Sequence, residues 1–200
     1  MRFPGGITAL DRVSMYVGAD DFVVILGSSG AGKSTLLRSL NRLNTPSSGH
    51  LFFHGREVTH ALGIRLRELR QRVGMVFQQF ALVERRTVLT NVLAGRFRFG
   101  RPPIGRALSL FGWFGRENVE YAWRCLRQVG IEQSAWQRVD TLSGGQRQRV
   151  AIARLLAQEP EVILADEPIA SLDPRSSEIV MNTLREIHET RRIPVVVSLH

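Results

Sequence analysis

Lysine is almost missing from this chain, which has 26 arginines and a single lysine, Lys33. Cysteine is as scarce: Cys125 stands alone, so no intramolecular disulfide can form, and its neighbours Trp123 and Leu126 mark a small buried hydrophobe rather than a nucleophile. No apolar run approaches the roughly 18 residues of a membrane span. The opening Met1-Arg-Phe-Pro-Gly-Gly lacks the apolar core of a signal peptide, so a cytoplasmic protein is expected. Internal repeats and low-complexity linkers are also lacking. What remains is a 200-residue chain with 44% apolar content, enough for one domain of ordinary size with a buried core. The net charge of +9 admits nucleic-acid binding or residence against an anionic membrane face. Much of that charge lies on helical faces. In the segment 62–73, Leu62, Leu66, Leu69 and Val73 fall at helical spacing while the arginines point elsewhere, which predicts a solvated face.

The one lysine stands in Gly27-Ser28-Ser29-Gly30-Ala31-Gly32-Lys33-Ser34-Thr35, the G-x-x-x-x-G-K-[ST] pattern of a phosphate-binding loop. A coding bias toward arginine explains the scarcity of lysine. It does not explain why the survivor sits where a compact, flexible ammonium is wanted rather than a planar guanidinium. The preceding run Phe22-Val-Val-Ile-Leu26 is a short apolar segment of the kind buried in a parallel sheet. A helical pattern follows, with Leu36, Leu37, Leu40 and Leu43 on one side and Arg38, Asn41 and Arg42 on the other. Gly27, Gly30 and Gly32 allow a tight turn that aims backbone N–H groups at phosphate oxygens, helped by the positive end of the helix. Lys33 would reach the β- and γ-phosphates of a nucleotide, and Ser34 would hold Mg²⁺.

Three further segments, Val73-Gly-Met-Val-Phe77, Val162-Ile-Leu-Ala165 and Pro194-Val-Val-Val-Ser-Leu199, have the look of buried strands. Strands alternating with helical stretches predict an α/β domain with a mostly parallel sheet. Residues from about 80 to 142 differ, with helical patterns from Glu84 to Leu93 and from Asn118 to Val129 around an irregular stretch from Arg96 to Gly105. The chain is therefore expected to be one domain, with an α/β core from 1–79 and 143–200 and an inserted helical subdomain from 80–142.

Val162-Ile-Leu-Ala-Asp166-Glu167 is an apolar strand that ends in two acids, which places both carboxylates at the carboxyl edge of the sheet with the phosphate loop. Asp166 can bind Mg²⁺, and Glu167 can accept a proton from attacking water. Leu142-Ser143-Gly144-Gly145-Gln146 precedes a helical pattern from Arg147 to about Gln158. Ser143 is placed as an N-cap, and the two glycines predict a bare helix N-terminus, a second anion site. One nucleotide hardly needs two such sites from one chain, which hints at a γ-phosphate presented by another copy.

With these motifs together the sequence resembles the ATP-binding cassette (ABC) ATPases, whose signature is the LSGGQ at 142–146. The resemblance implies a P-loop NTPase fold, ATP and Mg²⁺ as ligands, and nucleotide contacts from the loop and from Ser143, Gly144, Gly145 and Gln146. It implies that Gln78, with Gln79 as the adjacent alternative, is the Q-loop glutamine near Mg²⁺ and the γ-phosphate. Asp173, in Ala170-Ser171-Leu172-Asp173, matches the D-loop that crosses a dimer interface. His200 matches the switch histidine at the γ-phosphate, and Phe3 the aromatic that stacks on adenine. The family's pattern has a strand before that aromatic and further residues after the histidine, so the chain is expected to be truncated at both ends.

Within the family, residues 72–80, 90–96, 110–115 and 165–174 look like the phosphonate-import ATPase subunits. That resemblance implies a head-to-tail dimer with a second ATPase subunit on the cytoplasmic face of the inner membrane. It also implies an integral membrane permease and, indirectly, a periplasmic or lipid-anchored solute-binding protein. Other small solutes, such as a polar amino acid, stay open as cargo. The basic and aromatic alternation Arg96-Phe-Arg-Phe, with Arg101 and Arg106, motivates a rival, a soluble ABC ATPase acting on nucleic acid or ribosomes. Such proteins usually carry two cassettes or a long coiled coil, and neither is visible, so no nucleic-acid partner is expected.

Overall fold

A computed structural model describes residues 1–3, 5–97 and 114–200. The chain separates into two compact units, one made of 1–78, 160–168 and 187–200, the other of 79–159 and 169–186.

The first unit holds a four-stranded sheet of β1 (Phe22–Leu26), β4 (Val73–Val76), β5 (Val162–Asp166) and β6 (Val195–Leu199) in the order β1-β6-β5-β4. All three pairings are parallel, as the apolar, β-branched runs predict. Helices α1 (Lys33–Leu40) and α2 (Gly63–Arg72) also lie in this unit. Its core gathers Leu37, Leu69, Val73, Met75, Leu164 and Val196, each side chain worth about 1.5–3 kcal/mol when fully withdrawn from water. β1 departs from the sequence expectation of a fully buried strand. It pairs only with β6 among the described residues, and Val24 and Leu26 are exposed while Val23 and Ile25 pack on the core.

The helical pattern after the loop is shorter than it looked. α1 stops at Leu40, and Arg42 adopts a left-handed φ of 56°. The turn inverts the expected faces, so Asn41 and Arg42 are buried and Leu43 is exposed. Leu62 likewise precedes α2 as its N-cap and is exposed, while Leu69 and Val73 reach the core. A hairpin of β2 (Phe52–Phe53) and β3 (Arg56–Glu57) was not foreseen. Its two central residues, His54 and Gly55, both have positive φ (49° and 72°), the backbone that two-residue hairpins favour.

The second unit is helical, built on α3 (Val88–Ala94), α4 (Arg116–Gln128), α5 (Gly144–Ala157) and the first part of α6 (Pro174–Arg191). α3 begins later than the pattern from Glu84 suggested, because Thr87 caps it by accepting from the Thr90 N–H at 3.2 Å. Cys125, Leu126, Ile152 and Leu156 are completely buried, so the lone thiol is a core residue. Between residues 80 and 142 the described residues contain no strand, only an isolated bridge of Thr87 with Arg138.

Candidate functional site

Parallel strands end on the same edge, and here that edge collects the chemistry. The register pairs Leu26 with Leu199 and Asp166 with Ser198, so the loop after β1, the acids ending β5 and the residues ending β6 converge. β6 lies between the strand that feeds the loop and the strand that carries the acids. Ligand crevices of open α/β sheets form at such carboxyl edges.

The loop is shaped by two left-handed glycines, Gly30 (φ 80°) and Gly32 (φ 90°). Gly32 is doubly constrained, since a Cβ there would fall on the Ala9 carbonyl oxygen and 3.2 Å from Leu10 Cδ2. No side chain caps α1, so the N–H groups of Lys33, Ser34 and Thr35 open onto the loop. Lys33 is buried, and its ammonium donates to the carbonyls of Gly27 (2.6 Å) and Ser28 (3.0 Å). It lies 3.6 Å from Glu167 Oε1, and His200 Nε2 lies 3.1 Å from the same oxygen. Three residues far apart in sequence thus meet at one carboxylate. Glu167 has a left-handed φ of 48°, a conformation costing about 1–3 kcal/mol for a non-glycine residue and typical of functional sites. Its carboxylate can accept a proton from a water placed against it.

Asp166 is almost fully buried. Its Oδ1 accepts from the Ser198 hydroxyl at 3.2 Å, and Arg38 Nη2 lies 3.4 Å from Oδ2. Neither Arg38 nor Ser198 stood out in the sequence. Ser198 could be found only through the parallel register, which no local pattern encodes.

The expected ligands fit this arrangement. Uncapped N–H groups and a buried ammonium suit a polyphosphate. Among the described residues no three histidine, cysteine or acidic side chains gather as a metal cage. One buried carboxylate on β5 and the Ser34 hydroxyl in the first turn of α1 are oxygen donors of the kind that suits Mg²⁺, which is commonly held by one or two carboxylates with water and substrate phosphates.

Other expected residues make no hydrogen bond or ion pair to this cluster among the described residues, although the pairing of Val76 with Ala165 brings the end of β4 to the same carboxyl edge. Gln78 and Gln79 are both exposed in the turn after β4. Phe3 is 36% exposed in a tight N-terminal turn, its N–H donating to Ile7 O at 2.9 Å, and the same segment reaches the loop through Ala9 and Leu10.

In the second unit the signature segment is not bare. Ser143 caps α5, accepting from the Gln146 N–H at 3.3 Å, while Gln146 Oε1 accepts from the Ser143 N–H at 2.9 Å. This reciprocal box leaves Gly144 and Gly145 as the uncapped N–H groups of the first turn. The glycines also have a packing reason, because a Cβ on Gly145 would lie 2.6 Å from Ser176 Cβ and Oγ. Asp173 accepts from the Ser176 N–H at 2.9 Å at the start of α6, and hydrogen bonds from the Ser176 side chain and backbone hold its carboxyl below the usual range. Arg96, a candidate for base stacking, is buried. It donates to Asn118 Oδ1, Ala157 O and Glu159 Oε1 and lies over the Tyr121 ring, so its guanidinium braces the helical unit. Arg101, Arg106 and the 110–113 part of the subfamily resemblance fall outside the described residues.

A parallel sheet that launches a lysine-bearing phosphate loop, faced by a buried aspartate and a glutamate, defines a P-loop nucleotide hydrolase. The ABC transporter model matches residues 10–170, and the chain belongs to that family. It is an ABC ATPase, and ATP is its nucleotide. The phosphonates import ATP-binding protein PhnC of Thiobacillus denitrificans is 53% identical over 100% of this chain and 74% of its own length. A phosphonates import ATP-binding protein of Halalkalibacterium halodurans is 47% identical over 99% of this chain and 75% of its own. Among solved structures, a dimeric post-hydrolysis ATP-binding cassette bound to ADP and Pi has a TM-score of 0.84 at 34% identity, covering 100% of this chain and 83% of that one. The cbiO1 subunit of Clostridium perfringens, part of the cbiONQ transporter complex, has a TM-score of 0.83 at 28% identity, covering 100% and 75%.

Proposed function

We propose that this chain is the ATP-hydrolysing subunit of an importer that brings phosphonates into the cell. The observation that carries the cargo is the similarity, over nearly its whole length, to relatives named as phosphonates import ATP-binding proteins. In this reading Lys33 and the N–H groups of the loop grip the β- and γ-phosphates, with the nucleotide contacts spread over residues 27–35. Ser34 and Asp166 hold Mg²⁺, joined by Gln78, and the ion supplies charge neutralisation on the phosphates. Glu167 takes the proton of the attacking water, and His200 steadies both Glu167 and the γ-phosphate side. Phe3 stacks on adenine.

The signature residues Ser143 to Gln146 and Asp173 face the nucleotide of a second copy in a head-to-tail dimer. The chain is organised as one cassette, an α/β core with a helical insertion between 80 and 142. The dimer sits against a permease at the cytoplasmic face of the inner membrane, fed by a solute-binding protein. No described helix is long and apolar enough to cross the membrane itself. The burial of Arg96 removes one support for a nucleic-acid role.

Co-expression with a phosphonate permease tests this. The complex should hydrolyse ATP faster when the phosphonate-loaded binding protein is added. Stimulation by an amino-acid-loaded binding protein instead would keep the importer and overturn the cargo, whereas stimulation by RNA with no response to permease would overturn both.

A further inference from the structure

Ser198 is completely buried and lies in the strand that separates the loop strand from the acid strand. Its single hydroxyl is used twice. It donates to Asp166 Oδ1 at 3.2 Å and accepts from the backbone N–H of Glu167 at 3.0 Å. A hydroxyl has one proton and two lone pairs, so both bonds are satisfied together without compromise. The first bond fixes one oxygen of the carboxylate best suited to a metal. The second pins the peptide at which the chain turns into the left-handed φ of Glu167, the turn that carries its carboxylate to Lys33 and His200. That conformation is intrinsically unfavourable and persists only where neighbours over-determine it. No other described hydrogen bond reaches the Glu167 N–H.

We propose that Ser198 is a positioning residue of the ATPase site, one hydroxyl that sets the orientation of Asp166 toward Mg²⁺ and the aim of Glu167 toward the attacking water. The inference rests on the roles given to Asp166 and Glu167 above. It assigns no contact of Ser198 itself with nucleotide or metal. Its effect is that of an outer partner to a ligating carboxylate, whose loss commonly costs 10–100-fold in metal affinity or activity. Lys33 and the loop amides are untouched by it, so the geometry separates metal-dependent from metal-free nucleotide binding.

The test compares the parent chain with Ser198→Ala, Ser198→Thr and Ser198→Val. The last two add the same methyl and differ in the hydroxyl alone. A fluorescent ATP analogue is titrated in EDTA and again across a Mg²⁺ series, alongside kcat and KM for ATP and the melting temperature. Ser198→Ala should bind the analogue in EDTA within about twofold of the parent, need roughly 10–100-fold more Mg²⁺ for half-maximal enhancement, and lose kcat on that scale with little change in KM. Ser198→Thr should recover most of both losses and Ser198→Val neither. The proposal is overturned if Ser198→Ala keeps the parental Mg²⁺ midpoint and kcat. It is equally overturned if Thr and Val behave alike, their losses following the melting temperature. Should Ser198→Ala not fold, the Thr and Val pair still decides. If the parent itself binds no nucleotide or shows no Mg²⁺ dependence, the ATPase roles have failed rather than the assignment of Ser198.

Discussion

Two helix N-termini in this molecule look alike in sequence, each introduced by small residues and glycine, yet they are finished in opposite ways. At α1 no side chain caps the helix, Gly32 carries a φ of 90° that other residues resist, and the Lys33 ammonium folds back onto the Gly27 and Ser28 carbonyls. At α5 the Ser143 and Gln146 side chains close the end with a reciprocal box, and glycine serves close packing on Ser176. The first end leaves its N–H groups uncapped beside a buried ammonium, an arrangement that suits an anion. The second is complete as a helix cap and has only the Gly144 and Gly145 N–H groups left to offer. A glycine-rich helix start is therefore two different devices, told apart by whether the cap is filled from within.

The largest effect that sharpens this contrast lies at the open end. Glu167→Gln keeps the size of the side chain but removes the carboxylate shared by Lys33 and His200. Hydrolysis should slow by roughly 10²–10⁴-fold with nucleotide binding retained, the usual scale for a general base. Phosphate release measured under saturating ATP checks it, and a parental rate would assign the proton to another group. In a head-to-tail arrangement the same variant should accumulate as an ATP-dependent dimer, which light scattering at saturating ATP would detect. Next comes Lys33→Ala, which deletes the charge that the loop encloses. Loss of a charge-assisted contact to phosphate should weaken ATP binding by about 1.5–3 kcal/mol or more, or roughly 10–150-fold. A fluorescence titration giving parental affinity would refute the loop's role.

The closed end breaks differently. Gly145→Ala places a Cβ 2.6 Å from Ser176 Cβ and Oγ, whereas Gly144→Ala meets only the flexible end of Leu172 at 3.1 Å. Overpacking of this kind costs about 1–3 kcal/mol, so Gly145→Ala should lower stability in urea denaturation by that amount. Gly144→Ala should be near neutral, since alanine is the better helix former by about 1 kcal/mol. Adding Ser176→Gly to Gly145→Ala removes both overlapping atoms, and the pair should show a favourable coupling in a double-mutant cycle. Equal costs at the two glycines would erase the packing argument.

Much of this was legible in the sequence, for reasons that are local. The apolar runs, the loop pattern around Lys33 and the acids after β5 each encode themselves within a few residues, and all four sheet strands fall where periodicity placed them to within about two residues. What escaped was set at a distance or by the ends of elements. Ser198 and Arg38 reach Asp166 through strand register and helix phase, which sequence spacing does not reveal. Arg42 is buried because α1 ends a turn earlier than its leucine pattern, and a left-handed residue then reverses the faces. The hairpin at His54 and Gly55 is too short for alternation to announce it. The signature glycines read as an exposed N-terminus because the residues they pack on, Leu172 for Gly144 and Ser176 for Gly145, lie some thirty residues on, beyond any local pattern.

The smallest effect concerns the cap beside Ser176. Asp173 accepts hydrogen bonds from the Ser176 side chain and backbone, which hold its carboxyl below the ordinary value, so the folded chain prefers the ionised form. The sign follows from linkage. A depressed folded value adds stability that is fully present above the unfolded carboxyl's pKa, about 3.9, and that is lost as pH falls through the lower folded value. Asp173→Asn keeps an N-cap of similar strength but cannot titrate. On acidification from pH 6 toward pH 3, the melting temperature of the parent should therefore fall slightly more than that of Asp173→Asn, with the two curves nearest at the acid end. The exposed position keeps the difference small and sensitive to salt, because solvent and counter-ions screen a surface carboxylate. Parallel curves would mean that the Ser176 turn is held by its backbone geometry alone, and that the packing of Gly145 against it owes nothing to the charge on Asp173.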